Sequence, residues 1–181
     1  MTSFDMKKIF LFIITTFFFI ACDDDDSSQI DLSLIYGNWA LTSVTSENGT
    51  IATIIEGTAV DGTYEISGKE YSTTLTFTES ASADLLNSFS SSGDFTQITA
   101  IKTPLQSFNH EEVIPDFIGS REWTIDENII LTFSSNTEEI IEIIWLTAET
   151  MILRREMNET VEIDGITFEI TGSQIIELDK R

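Results

Sequence analysis

The chain has 181 residues, 31 of them acidic and 9 basic, for a formal net charge of −22. That imbalance argues against recognition of nucleic acid or anionic lipid through a basic patch. A single cysteine excludes any intrachain disulfide, so the fold must be held by its hydrophobic core.

At the N-terminus, Met6-Lys7-Lys8 precedes an unbroken run of apolar residues and threonine from Ile9 to Ile20, then Ala21 and Cys22. A basic start, an apolar middle and a small residue before the cut describe a secretory signal. As a helix, Ile9 to Ala21 would reach only ~20 Å at ~1.5 Å per residue, short of a ~30 Å hydrocarbon core. Asp5 is out of place in a positive n-region, which makes Met6 an alternative start. Phe19-Ile20-Ala21-Cys22 resembles the lipobox of bacterial lipoproteins. The resemblance implies diacylation of the Cys22 thiol, cleavage before it and anchoring in a lipid bilayer. Each buried methylene contributes ~0.8 kcal/mol, so two or three acyl chains hold where one binds reversibly. Cleavage removes two bases and one acid, Lys7, Lys8 and Asp5, and takes the charge from −22 to −23.

Residues 22–33 read as an acidic tether. Asp23, Asp24, Asp25 and Asp26 follow the cysteine directly, and four adjacent carboxylates repel one another too strongly to pack into a core. Acidic residues in this place also resemble two sorting signals. An Asp next to the cysteine retains some lipoproteins at the inner membrane, whereas a short acidic run sends others to the cell surface. Four acids fit the second more closely. The expected location is therefore the outer membrane, lipid-anchored and surface-exposed, with the periplasmic face of either membrane as the alternative.

Residues 34–181 read as one all-β domain. Leu34 to Thr45 is expected as a first strand closing at an Asn48-Gly49 hairpin turn. Ile51 to Ile55 and Val60 to Ile66 follow, punctuated by Gly57 and by Asp61-Gly62. Tyr71 to Thr78 alternates, with Tyr71, Thr73, Leu75 and Phe77 on one face. Ser80 to Gly93 is serine-rich and suits a short helix, a lid or a loop. Phe95 to Ile101 and Ser107 to Ile114 are weaker strands around Pro104. Arg121 to Asp126 pairs with Ile129 to Phe133, and Thr137 to Leu146 with Thr150 to Arg155. Val161 to Ile163, Thr167 to Ile170 and Gln174 to Leu178 complete the set, broken at Asp164-Gly165 and Thr171-Gly172. Eight to ten short strands at regular spacing imply a sandwich or barrel.

Gly37-Asn38-Trp39 matches the Gly-x-Trp of the lipocalin first strand, and Glu122-Trp123-Thr124-Ile125, Ile129 to Phe133, Ile143 to Thr147 and Met151 to Arg154 follow in matching order. On these residues the chain resembles the lipocalin-like domains of bacterial lipoproteins. The resemblance implies an up-and-down antiparallel barrel of about eight strands enclosing a cup. It also implies a late arginine, Arg154 or Arg155, packed over Trp39 at the closed end, a structural role. Cup walls are expected from inward residues such as Tyr71, Leu75, Phe77 and Ile143. All three tryptophans, Trp39, Trp123 and Trp145, are expected in the core. The long terminal helix of secreted lipocalins is missing, so their ligands do not transfer.

Catalytic signals are thin. His110, the sole histidine, sits in a polar segment and reads as a surface residue. With no second histidine or cysteine and no Gly-x-Ser-x-Gly elbow, neither a zinc site nor a serine triad is supported. The domain is expected to be non-enzymatic, with no cofactor, and two functions remain. One is binding or carrying a small apolar molecule in the barrel. The other is a platform whose loops contact a protein or a glycan.

Overall fold

The computed structural model describes residues 31–82, 86–134 and 137–181. Cys22 and the run Asp23 to Asp26 lie outside the described residues. Among those residues there is no α-helix, only one 3-10 turn, Leu32–Ile35, capped by Asp31, whose Oδ1 accepts from the Ser33 amide.

Eleven strands form one antiparallel sheet: β1 (Gly37–Ile55), β2 (Thr58–Lys69), β3 (Thr74–Thr78), β4 (Asn87–Ser92), β5 (Asp94–Lys102), β6 (Ser107–Pro115), β7 (Arg121–Asp126), β8 (Ile129–Ser134), β9 (Thr137–Leu146), β10 (Thr150–Ile163) and β11 (Ile166–Lys180). Eight of them, β1, β3, β4, β7, β8, β9, β10 and β11, follow one another around a closed ring, and β1 pairs with β11 to seal it. Closure leaves this ring without an edge. The other three, β2, β5 and β6, leave the ring as an arm. The first half of β1 pairs with β3, and its second half, from Thr50 to Ile55, pairs with β2 instead.

Asn48-Gly49, expected as a turn, lies within the 19-residue β1. Asn48 has φ 53, and the pairing with β11 shifts register between Glu47 and Thr50, so the dipeptide is a bulge that bends β1 from ring into arm. A Cβ on Gly49 would stand 2.3 Å from the Tyr64 carbonyl oxygen. Asp61-Gly62 lies inside β2, within the strand expected from Val60 to Ile66, with the Lys102 carbonyl oxygen 2.4 Å from where a Cβ would be. Thr171-Gly172 does not break β11, and Arg155 to Val161 run on without interruption in β10. At Gly49, Gly62 and Gly172 the glycine answers a close backbone approach and not a reversal. Glycine does stand at a reversal in Glu56-Gly57 and Asp164-Gly165, where both residues have positive φ. The expected helix or loop before Gly93 is partly strand: Asn87–Ser92 pairs with β3 and β7, burying Phe89 against Phe77.

The ring interior is filled. Trp39, Leu75, Trp123, Ile143, Met151 and Leu178 are each at most 1% exposed. Phe77 sets its edge against Trp123, centroids 5.7 Å apart. At one end, the Trp39 indole N–H donates to the Ile35 carbonyl at 2.7 Å. The cation over its face is Lys180, with Nζ 4.1 Å from the ring centroid, in place of the expected arginine. Lys180 also donates to the carbonyls of Leu34, at 2.8 Å, and of Tyr36. Register explains the substitution: Trp39 pairs with Lys180 across β1 and β11, whereas Arg155 pairs with Gln174, six residues further from that end. Arg154 lies on the outer face and binds Glu142 at 3.2 Å. Trp145 also departs from expectation, being 56% exposed. A bulge pairs Ile152 with Trp145 but Leu153 with Ile143, so the extra residue, Ile144, turns Trp145 outward.

Candidate functional site

Open space occurs where β1 leaves the ring. A cavity of about 300 Å³ lies between the β2, β5, β6 arm and the far half of the β10 and β11 hairpin. Its apolar walls include Ile51, Ile66 and Ile101 on one side and Met157, Phe168 and Ile170 on the other, all below 9% exposed. Alternation in each strand carries one face inward: Tyr64 and Ile66 from β2, Ile101 from β5, Phe168 and Ile170 from β11. Among the described residues the arm ends at β6, which pairs only with β5, and β10 beyond Arg155 pairs only with β11. Two free strand edges therefore flank the opening. At one point they approach: His110 Nδ1 on β6 is 4.0 Å from Asp164 Oδ1 at the β10 to β11 turn.

Polar groups are few and placed deep. Tyr64 is 3% exposed and Gln174 1%, and both line the cavity. The Tyr64 hydroxyl and the Gln174 Oε1 are buried without a hydrogen-bond partner. A buried polar atom left unpaired costs about 1–3 kcal/mol, which a guest that bonds to it would recover. Burial, reinforced by Glu159 and opposed by Arg155, pushes the Tyr64 hydroxyl above the ordinary tyrosine range. Beside them an ionic cluster spans the junction of ring and cavity. Arg121 and Arg155 both bind Glu139, Arg155 at 3.1 Å, and Arg155 also lies 3.9 Å from Glu159. Glu112, Asp116, Glu159 and Glu162 contribute carboxylates to the lining and its mouth.

Leu75, Phe77 and Ile143, expected as cup walls, are packed in the ring core at 1%, 5% and 0% exposure. Tyr71 stacks on Phe95 with centroids 5.6 Å apart, and its hydroxyl oxygen accepts from the Val44 amide at 3.1 Å. None of the four lines the cavity. An eight-stranded ring is just wide enough for its own side chains to fill, and here two tryptophans and Phe77 do so. Of the fold-motif residues, Gly37 and Trp39 stand at the sealed end, and Arg155 reaches the cavity. His110, expected at the surface, is partly buried in the cavity wall. Tyr64, Met157 and Gln174 were not singled out from the sequence. Gln174 carried a signal: it shares inward parity with Ile176 and Leu178, a lone amide on an apolar face. Among the described residues, no group of three or more His, Cys, Asp or Glu side chains is placed to hold a metal ion.

No protein-family model matches the chain, and neither a curated protein nor a solved structure matches it. The geometry therefore defines a class by architecture alone: a closed eight-stranded antiparallel barrel bearing a three-stranded arm.

Proposed function

We propose that this protein is a non-enzymatic, lipid-anchored envelope lipoprotein whose barrel domain binds or carries a small, largely apolar molecule. One observation carries the reading. The cavity joins apolar walls to two deep polar atoms that lack partners, Tyr64 Oη and Gln174 Oε1. Ligand sites combine these features, a mostly apolar lining with a few polar groups that fix orientation, and their volumes begin near ~300 Å³. The guest sits not in the cup of a simple barrel but beside it, under the arm. Cys22 carries the acyl chains, and Asp23 to Asp26 direct the anchored domain to the cell surface.

Native mass spectrometry of the gently purified protein tests the carrier reading. A small organic adduct is expected, and Met157→Trp, which fills the cavity from its wall, should abolish it. Persistence of the adduct in that variant, or a bare mass in the unaltered protein, would overturn it. For the anchor, Cys22→Ser should leave an unlipidated, uncut precursor. Replacing Asp23 to Asp26 with alanines should protect the domain from protease on intact cells, and unchanged cleavage would refute the address.

A further inference from the structure

We propose that the cavity selects a cationic guest, a primary amine on a short apolar tail whose ammonium donates to Gln174 Oε1. This deepens the carrier reading and rests on it. Gln174 Oε1 can only accept, and it is buried without a partner in a residue 1% exposed. The chemistry it lacks is a donor. Charge around the cavity points the same way. Arg155, the one arginine or lysine in the lining among the described residues, is already engaged by Glu139 at 3.1 Å and lies 3.9 Å from Glu159. Glu139 is shared with Arg121, so two guanidinium groups and these two carboxylates balance.

Glu112, Asp116 and Glu162 remain as lining carboxylates outside that balanced set, and Asp164 faces His110 at the opening. A carboxylate guest would add to this surplus, whereas an ammonium would reduce it. The acids at the mouth are solvent-exposed, so they act chiefly by raising the local concentration of cations. The Tyr64 hydroxyl is the second buried, unpartnered polar atom of the lining. Size sets the tail: at ~30 Å³ per water-sized unit, 300 Å³ holds roughly ten non-hydrogen atoms, the scale of an eight-carbon amine.

Isothermal titration on the full chain in phosphatidylcholine nanodiscs, with empty discs as blank, separates the possibilities at low salt. The probes are octylamine, octanoate and 1-octanol, and Gln174→Met is titrated beside the unaltered protein. The expected result is octylamine binding at least tenfold tighter than either other probe, with that advantage lost in Gln174→Met. Methionine removes an unpaired buried atom while keeping the volume, so folding is retained, as circular dichroism would check. Octanoate or octanol binding as tightly as the amine would overturn the cation preference and leave the carrier reading standing. Amine selectivity that survives Gln174→Met would overturn the assigned acceptor. Failure of all three probes to bind would overturn both this proposal and the carrier reading.

Discussion

Replacing Lys180 with methionine removes the ammonium that ties the last strand to the segment leading into the first, while keeping the apolar stem that packs beside Trp39. The ammonium donates to the Leu34 and Tyr36 carbonyls and sits 4.1 Å from the indole centroid. Hydrogen bonds from a charged donor contribute ~1.5–3 kcal/mol each, and a partly exposed cation over an aromatic face adds ~0.5–1 kcal/mol. Against this stands desolvation, which lowers the Lys180 pKa below the ordinary lysine range and is relieved in the variant. With desolvation against them these contributions are taken at their low end, about 3 kcal/mol, which for a urea slope near 2 kcal/mol/M moves the unfolding midpoint down by about 1.5 M. Tryptophan fluorescence reports the transition, because Trp39 and Trp123 are fully buried. A midpoint within about 0.2 M of the unaltered protein, at the same slope, would refute the reasoning that Lys180 closes the ring.

Two other perturbations test the junction of ring and cavity. Glu139→Gln leaves Arg121 and Arg155 facing each other with no carboxylate between them. Since these groups are about one-quarter exposed or less, the loss should fall between the ~1 kcal/mol of surface pairs and the ~3–5 kcal/mol of buried ones, read by the same urea titration. A loss below ~0.5 kcal/mol would show the cluster to be solvent-screened. For Tyr64, whose folded pKa is raised above the ordinary value of 10.0, the neutral phenol is favoured by folding. Its contribution is complete below the unfolded pKa near ~10 and is lost as pH rises through the higher folded value. Tyr64→Phe should therefore flatten the fall in stability above pH ~10 and delete a late step from the ultraviolet titration of the tyrosines. Loss of a step near the ordinary tyrosine value of ~10 instead would show that Tyr64 ionises as if in solvent.

Much of the fold was legible because strand period and turn chemistry are local. The hairpins at Glu127-Asn128 and Asp164-Gly165 lie where the sequence pattern expects them, and the alternation in Leu75 and Phe77 marks a face that is buried. Glycine was the main source of error. A Gly that turns the chain and a Gly that admits a crossing backbone look identical in sequence, so Gly49 and Gly172 read as breaks inside what are long strands. The cation over Trp39 depended on a pairing between β1 and β11, more than a hundred residues apart, which no local pattern encodes. The cavity escaped for the same reason. Its walls come from β1, β2, β5, β6, β10 and β11, and only the handover of β1 from β3 to β2 brings them together.

That handover gives one sheet two different resistances to opening. Strands in the sealed ring have neighbours on both sides, so an amide there is released only when the whole ring comes apart. The arm can peel from its free margin at β6, and β5 and β2 can follow, each step breaking one ladder while Trp39, Trp123 and their neighbours stay packed. Access to the cavity then needs no unfolding of the ring, only a partial unzipping that stops at the bulge around Asn48-Gly49.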